Sequence, residues 1–279
     1  MNGKKINNVL IVCDKLKPNA VAYLDGLKTS LEQAKIGFTE KGYVGLMDFV
    51  DMIVVLGGDG FMSETINGCL NFHKPFLGIN FGTIRGFLLN DNRPDIANLL
   101  AQGRYEIFKL PLLHVDAVSA DGILYENDSE GNIYVERSTS QCAKFNIKID
   151  GVDFGKEIMA DGLVVSTSLG SSAYFLSAGG AAMHPLLPVM GIRSICEIWP
   201  PTLPPLVLSL DAKIEIEILQ PQKRKVRATS GELFTYENVV QVVVGKSPDK
   251  FFYLALLEGE SFLKTISKKI LRVQEEKNG

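Results

Sequence analysis

Short apolar runs and amphipathic stretches alternate through the first third of the chain. Asn8 to Cys13 reads as a buried strand, and Ala20 to Ala34 carries Val21, Leu24, Leu27 and Leu31 at the spacing of one helical face. Met52 to Leu56 is a second strand-like run, ended by Gly57-Gly58-Asp59-Gly60. Phe61 to Leu70 then reads as helix and Pro75 to Ile79 as a further strand. This alternation predicts a parallel sheet. From about Leu110 the pattern changes. Ile133 to Val135, Lys144 to Asp150, Leu163 to Val165, Leu206 to Leu208, Lys213 to Leu219 and Val239 to Val244 are strand-like, several with period two and turn residues between. After Gly259 helical spacing returns through Phe262, Ile266, Ile270 and Val273, with Lys264, Lys268, Lys269 and Arg272 on the other face. That predicts a packed closing helix with a solvated basic side. The fold class expected is an α/β N-terminal domain over residues 1–109, then a mainly-β, β-sandwich-like domain over 110–258 and a closing segment over 259–279.

Composition narrows the function. A chain of 279 residues, 46% hydrophobic and 22% charged, suits a folded protein of about two domains. With 29 basic and 32 acidic residues the net charge is −3, which supplies no overall field for gripping a nucleic-acid backbone. Cys13, Cys69, Cys142 and Cys196 stand singly, with neither a CxxC pair nor a nearby histidine that would complete a tetrahedral zinc set, as expected of reduced thiols. The apolar run Val9 to Val12 is too short for a secretory core, so the expected location is cytoplasmic. No Asp, Glu, Lys or Arg occurs between Asp161 and Arg193, but the serines, glycines and prolines there are too polar and helix-breaking for a lipid-facing span. Neither nucleic acid nor membrane is therefore an expected partner. His73, His114 and His184 fall in different elements, and no shared metal site is expected.

Three glycine-rich junctions carry the candidate chemistry. Leu56 to Gly60 (LGGDG) follows a strand and opens a helix, where missing Cβ atoms and unpaired N–H groups suit a phosphate. An acid in such a cradle suits a sugar hydroxyl or a cation better than phosphate oxygens, which makes Asp59 the candidate base. The structural alternative is a tight turn with Asp59 as helix N-cap. Gly78 to Asn90 (GINFGTIRGFLLN) also follows a strand, and its Gly82 and Gly86 allow close backbone approach. Ala160 to Gly180 groups hydroxyls around Gly170 at a strand-to-helix junction that could hold a ribose or phosphates, or form only a capped turn.

GGDG at Gly57–Gly60, NFGTIRGFL at Asn80–Leu88, IDG at Ile149–Gly151 and DGLVVSTSLGSSAYFLSAGGAAMHP at Asp161–Pro185 occur in order, and together the sequence resembles the NAD kinases from about residue 8 to 262. The resemblance implies phosphorylation of the adenosine-ribose 2′-hydroxyl of NAD by ATP or polyphosphate, with Mg²⁺ or another divalent cation, in a homodimer or homotetramer. It implies Asp59 as the proton acceptor. Gly57, Gly58 and Gly60 would form the phosphate cradle; Asn80, Gly82, Phe87, Asn132, Asp161, Thr167, Ser172 and Tyr174 would be further nucleotide contacts. It also implies that the C-terminal segment packs back on the first domain. Gly131-Asn132 stands in the register of the family's Asn-Glu pair, Thr167-Ser168-Leu169-Gly170 replaces TPTG, Arg85 is one residue extra, and an Asp expected near Ser230-Gly231 is missing. Asn132 in a shifted register, or Asn127-Asp128 in a rearranged hairpin, would be the replacements. A weakened dinucleotide-binding paralogue and a lipid or sugar kinase are the alternative functions.

Overall fold

The computed structural model describes residues 3–40, 44–83, 86–198, 203–231 and 234–270. Arg85, Trp199 with Pro200 and Pro201, and Arg272 with Val273 lie outside the described residues. The chain divides into two compact units, Met1–Leu110 with Phe251–Gly279, and Pro111–Lys250.

The first unit opens with β1 (Asn8–Cys13), α1 (Pro18–Gln33), β2 (Gly37–Thr39), β3 (Met52–Gly57), α2 (Asp59–Cys69), β4 (Pro75–Asn80), β5 (Leu89–Asn90) and α3 (Ile96–Ala101). Strands β2, β1, β3 and β4 lie side by side and parallel, and β5 pairs with the far side of β4. Every residue of β3 is buried, as a strand covered on both faces requires. The buried face of α1 is Ala20, Leu24, Leu27 and Leu31, while Val21 is exposed. The face thus starts one residue earlier than the apolar pattern predicts, because alanine at the strand–helix contact packs where a branched side chain is not required.

The second unit is built from β6 (Tyr105–Ser119) from Pro111 onward, β7 (Leu124–Ser129), β8 (Asn132–Arg137), β9 (Ala143–Ile149), β10 (Val152–Ala160), β11 (Gly162–Thr167), the short helix α4 (Tyr174–Ser177), β12 (Val189–Ile195), β13 (Leu206–Ser209), β14 (Ile214–Ile218), β15 (Val226–Ser230), β16 (Phe234–Tyr236) and β17 (Val239–Leu257) as far as Lys250. Strands β10, β9, β14 and the start of β17 form one antiparallel sheet; β13, β12, β11, β8, β15 and β16 form another. Alternate residues of both, among them Ile133, Val135, Phe145, Ile147, Leu163, Val165, Ile214 and Ile216, share one apolar core, which makes this unit a sandwich. The charge-free stretch is β11, α4 and β12, and no described helix is long and apolar enough to cross a membrane. Ile149–Gly151 is a hairpin turn between β9 and β10: Asp150 and Gly151 both have positive φ (51° and 77°), the backbone that a two-residue Asp-Gly turn supplies.

Strand β17 runs past the period-two segment to Leu257, so residues 251–258 belong with the first unit and not, as the pattern suggests, with the second. There Tyr253 and Leu254 pair parallel with Pro75 and Phe76 of β4. The closing helix α5 (Phe262–Ile270) is anchored in the same unit by Phe262, whose ring meets Phe87 and Phe108 edge-on at 5.9 and 5.3 Å. Part of its basic face is not free in solvent, since Lys264 and Lys268 both pair with Asp91.

Candidate active site

In the first unit two of the glycine-rich junctions leave the carboxyl ends of adjacent parallel strands, the end of a parallel sheet where ligands are bound. Gly57 at the end of β3 pairs with Asn80 at the end of β4, and the Phe81 N–H donates to the Gly57 carbonyl at 2.8 Å. The Asn80 side chain accepts from the Gly82 N–H at 3.0 Å, which folds the second loop back. The loops touch through their glycines: a Cβ on Gly58 would lie 3.6 Å from the Gly82 Cα. Gly57 answers to packing instead, since a Cβ there would fall 2.6 Å from the Phe61 ring.

Asp59 is the first residue of α2, and the N-cap is Gly58 in extended backbone, so the N-cap reading of Asp59 is one residue out. Its carboxylate sits at the positive end of an eleven-residue helix and accepts the Gly86 N–H on Oδ2 at 2.7 Å. Gly60 follows in the first turn. Phe87, the next residue after Gly86, is buried with its ring in the aromatic cluster of α5.

In the second unit the site residues gather around the ends of β8 and β11. Asp161, just before β11, takes Arg137 through both carboxylate oxygens, Nε–Oδ1 at 2.6 Å and Nη2–Oδ2 at 3.4 Å, and this partner raises the Arg137 guanidinium above its usual range. Asn132 donates from Nδ2 to the Tyr134 hydroxyl at 3.0 Å, while its Oδ1 is buried with no hydrogen-bond partner. Gly170 comes against this turn; a Cβ on it would lie 2.8 Å from Asn132 Oδ1 and 2.7 Å from the Gly131 carbonyl carbon. Tyr174, at the start of α4, meets the Tyr134 ring edge-on at 5.4 Å and remains 41% exposed; burial of its inner part pushes its hydroxyl pKa up.

The hydroxyls around Gly170 are largely spent on the loop itself. Thr167 Oγ1 donates to the Glu130 carbonyl at 2.7 Å and accepts the Gly170 N–H at 2.9 Å. Ser168 donates to the carbonyls of Leu187 and Val189, and Ser171 donates to the Ser168 carbonyl while accepting the Met183 N–H. Ser172 is buried in the same turn. These bonds hold the loop's backbone in shape, and the side chains that stay accessible beside it are Asp161 and Tyr174. Gly180, which ends the motif, seats Phe175, whose ring a Cβ there would strike, while Gly179 before it takes the left-handed backbone (φ 90°).

Asn127 and Asp128 are engaged elsewhere. Asn127 donates to Ser230 at 3.2 Å, and Asp128 takes Lys250 at 2.7 Å and His114 at 3.0 Å. Burial alone would raise the Asp128 carboxyl, but Lys250, His114 and Ser247 together hold it below the ordinary aspartate value. The folded state therefore favours the charged form: this contribution to stability is complete above pH about 4 and is lost as pH falls through the lowered folded value. Asp128→Asn is expected to lower the melting temperature at pH 7 and to flatten its decline between about pH 5 and 2, read by melting curves across that range. An unchanged pH dependence would remove Asp128 from the acid response. His114, Asp116 and Glu126 bring ligand-type atoms within 4.8 Å of one another, yet His114 is already bonded to Asp116 and Asp128.

A carboxylate on a glycine-lined loop at the end of a parallel sheet, with a polar cluster on a β-sandwich, is the equipment of a nucleotide-dependent phosphotransferase. Residues 129–254 match the model of the ATP-NAD kinase C-terminal domain. A NAD kinase of Rickettsia bellii (strain OSU 85-389) is 34% identical over 235 residues, 83% of this chain and 89% of its own, and one of Rickettsia prowazekii (strain Madrid E) is 33% identical over 227 residues, 80% and 85%. The fold is also that of a yeast NADH kinase complexed with NADH (TM-score 0.79, 19% identity, 99% of this chain and 91% of that one). An NAD kinase from Archaeoglobus fulgidus in complex with ATP shares it too (TM-score 0.75, 19% identity, 96% and 100%). The chain belongs to the NAD kinase family.

Proposed function

We propose that this protein transfers the γ-phosphoryl group of ATP to the adenosine-ribose 2′-hydroxyl of NAD, giving NADP and ADP. The observation that carries the reading is Asp59, an anion at a helix N-terminus held between glycine loops at the end of the parallel sheet. In the reaction the 2′-oxygen bonds to the γ-phosphorus, the bond from that phosphorus to the bridging oxygen of ADP breaks, and the hydroxyl proton goes to the Asp59 carboxylate. ATP enters as its complex with a divalent cation such as Mg²⁺, which neutralises charge on the transferring group. Backbone N–H groups at the start of α2, around Gly58 and Gly60, receive phosphates, and Asn132, Asp161 and Tyr174 hold the dinucleotide. The working form is a cytoplasmic homodimer or homotetramer, which light scattering distinguishes.

Purified protein incubated with ATP, Mg²⁺ and NAD should form NADP; parallel reactions with polyphosphate or NADH define donor and acceptor. Absence of NADP and NADPH from every combination overturns the proposal. Asn132 supplies a separate check. Its unpartnered buried Oδ1 carries a desolvation cost of about 1–3 kcal/mol that a ligand donor would relieve. Asn132→Ala is expected to weaken NAD binding about 10-fold in calorimetric titration while leaving unfolding of the free protein within about 1 kcal/mol of wild type. Unchanged NAD affinity would exclude Asn132 from the dinucleotide contacts.

A further inference from the structure

Gly86 belongs to none of the roles above, yet its surroundings single it out. A Cβ built on it would meet, as its three nearest atoms, Asp59 Oδ1 at 2.2 Å, Cγ at 2.6 Å and Oδ2 at 2.7 Å. The carboxylate thus lies against the bare Cα of Gly86 while Oδ2 takes the Gly86 N–H at 2.7 Å. The backbone of Gly86 is not in the left-handed region, so no turn geometry demands glycine here; what a side chain would displace is Asp59. Gly86 is itself firmly placed, because Phe87 and Leu88 directly after it are buried and Leu89 pairs with Gly78 of β4.

We propose that Gly86 is a positioning residue for the phosphoryl transfer: its N–H and its missing side chain together seat the Asp59 carboxylate in the orientation that receives the hydroxyl proton. The proposal rests on the reading of Asp59 as the proton acceptor. An aspartate at the first position of a helix has other donors within reach in its own first turn, to which the carboxylate can swing. An amide from a separate, anchored loop selects one orientation. A methyl group at position 86 would occupy the carboxylate's place and turn it away. The displaced atoms are the distal end of a side chain and not backbone, so the fold accommodates the change while the reaction does not.

The test is a cycle of turnover measurements on the full chain. Gly86→Ala is expected to lower kcat about 30-fold or more with KM for NAD and for ATP within about threefold of wild type, since misplacing a reacting group by about 1 Å costs up to about 10²-fold. In an Asp59→Asn background the same Gly86→Ala change is expected to alter the residual turnover less than about twofold, because the side chain it displaces no longer accepts the proton. Wild-type kcat in Gly86→Ala, or an equal loss in both backgrounds, overturns the proposal. Wild-type turnover in Asp59→Asn overturns instead the reading beneath it. A thermal cycle covers a Gly86→Ala protein that folds poorly: Asp59→Ala vacates the space, and Gly86→Ala added to it should leave the melting temperature unchanged. A loss of melting temperature as large as in the wild-type background would show that the methyl collides with something other than Asp59 and overturn the proposal.

Discussion

Asp59→Asn is expected to turn over NAD at least about 10²-fold more slowly than the wild type, with NAD and ATP affinities and thermal stability close to unchanged. The amide has the shape of the carboxylate and keeps an oxygen for the Gly86 N–H, so the loop contact survives. What is lost is the capacity to take up a proton, a function worth about 10² to 10⁴ in rate when a side chain is well placed. Against stability the substitution removes an anion from a helix N-terminus, worth about 0.3–1 kcal/mol, and turns a charge-assisted hydrogen bond into a neutral one. The balance is a large kinetic effect on a small thermodynamic one. Initial rates and melting curves on the same preparation read both. Turnover near wild type would take Asp59 out of the chemistry, and a loss of several kcal/mol with proportionate loss of activity would make it a structural residue.

What the sequence shows and what it hides divide along the range of the interactions. Strand β3, helix α2 and strand β4 are legible because their signals are local: an apolar run, a glycine stop, a helical spacing, another run. The two loops they carry come out adjacent because β3 and β4 pair as parallel neighbours. The long strands β6 and β17 are not legible in full. Glu106 to Lys109 at the start of β6 and Asp249 and Lys250 in the middle of β17 mix charges into the pattern, and only pairing across the chain makes strands of them. The hydroxyl cluster at Thr167 to Ser172 is visible as chemistry, but whether each hydroxyl faces a ligand or its own loop depends on carbonyls of Glu130, Leu187 and Val189 brought in from outside it. Arg137, which holds Asp161 across two paired strands, gave no signal because its partner lies 24 residues away. Gly86 was readable as a point of close approach, but not as a seat for a residue 27 positions earlier.

Asn90 is the most hidden of these, and its replacement is expected to have the largest effect on stability. It closes the apolar stretch Phe87 to Leu89 and is completely buried. Its Nδ2 donates to the carbonyls of Gly78 at 3.0 Å and Ala255 at 3.1 Å, and its Oδ1 accepts the Leu257 N–H at 2.8 Å. One amide thus ties β4 and β5 to the end of β17, within the unit whose loops carry Asp59, Gly82 and Gly86. Asn90→Ala leaves two carbonyls and one N–H without this partner in a dry interior, at about 1 kcal/mol or more each, and is expected to cost about 3 kcal/mol in urea unfolding. Asn90→Asp separates lost packing from lost donors: it keeps the volume and the acceptor for Leu257 but turns a carboxylate oxygen toward two carbonyl oxygens. It is expected to be at least as destabilising as alanine at neutral pH. In the acid limb the aspartate variant should recover stability relative to wild type, because a protonated carboxyl regains one donor, and its preference for the neutral form makes its deficit shrink as pH falls. An alanine variant within about 1 kcal/mol of wild type would mean that water satisfies these groups and that packing alone holds the end of β17 against β4.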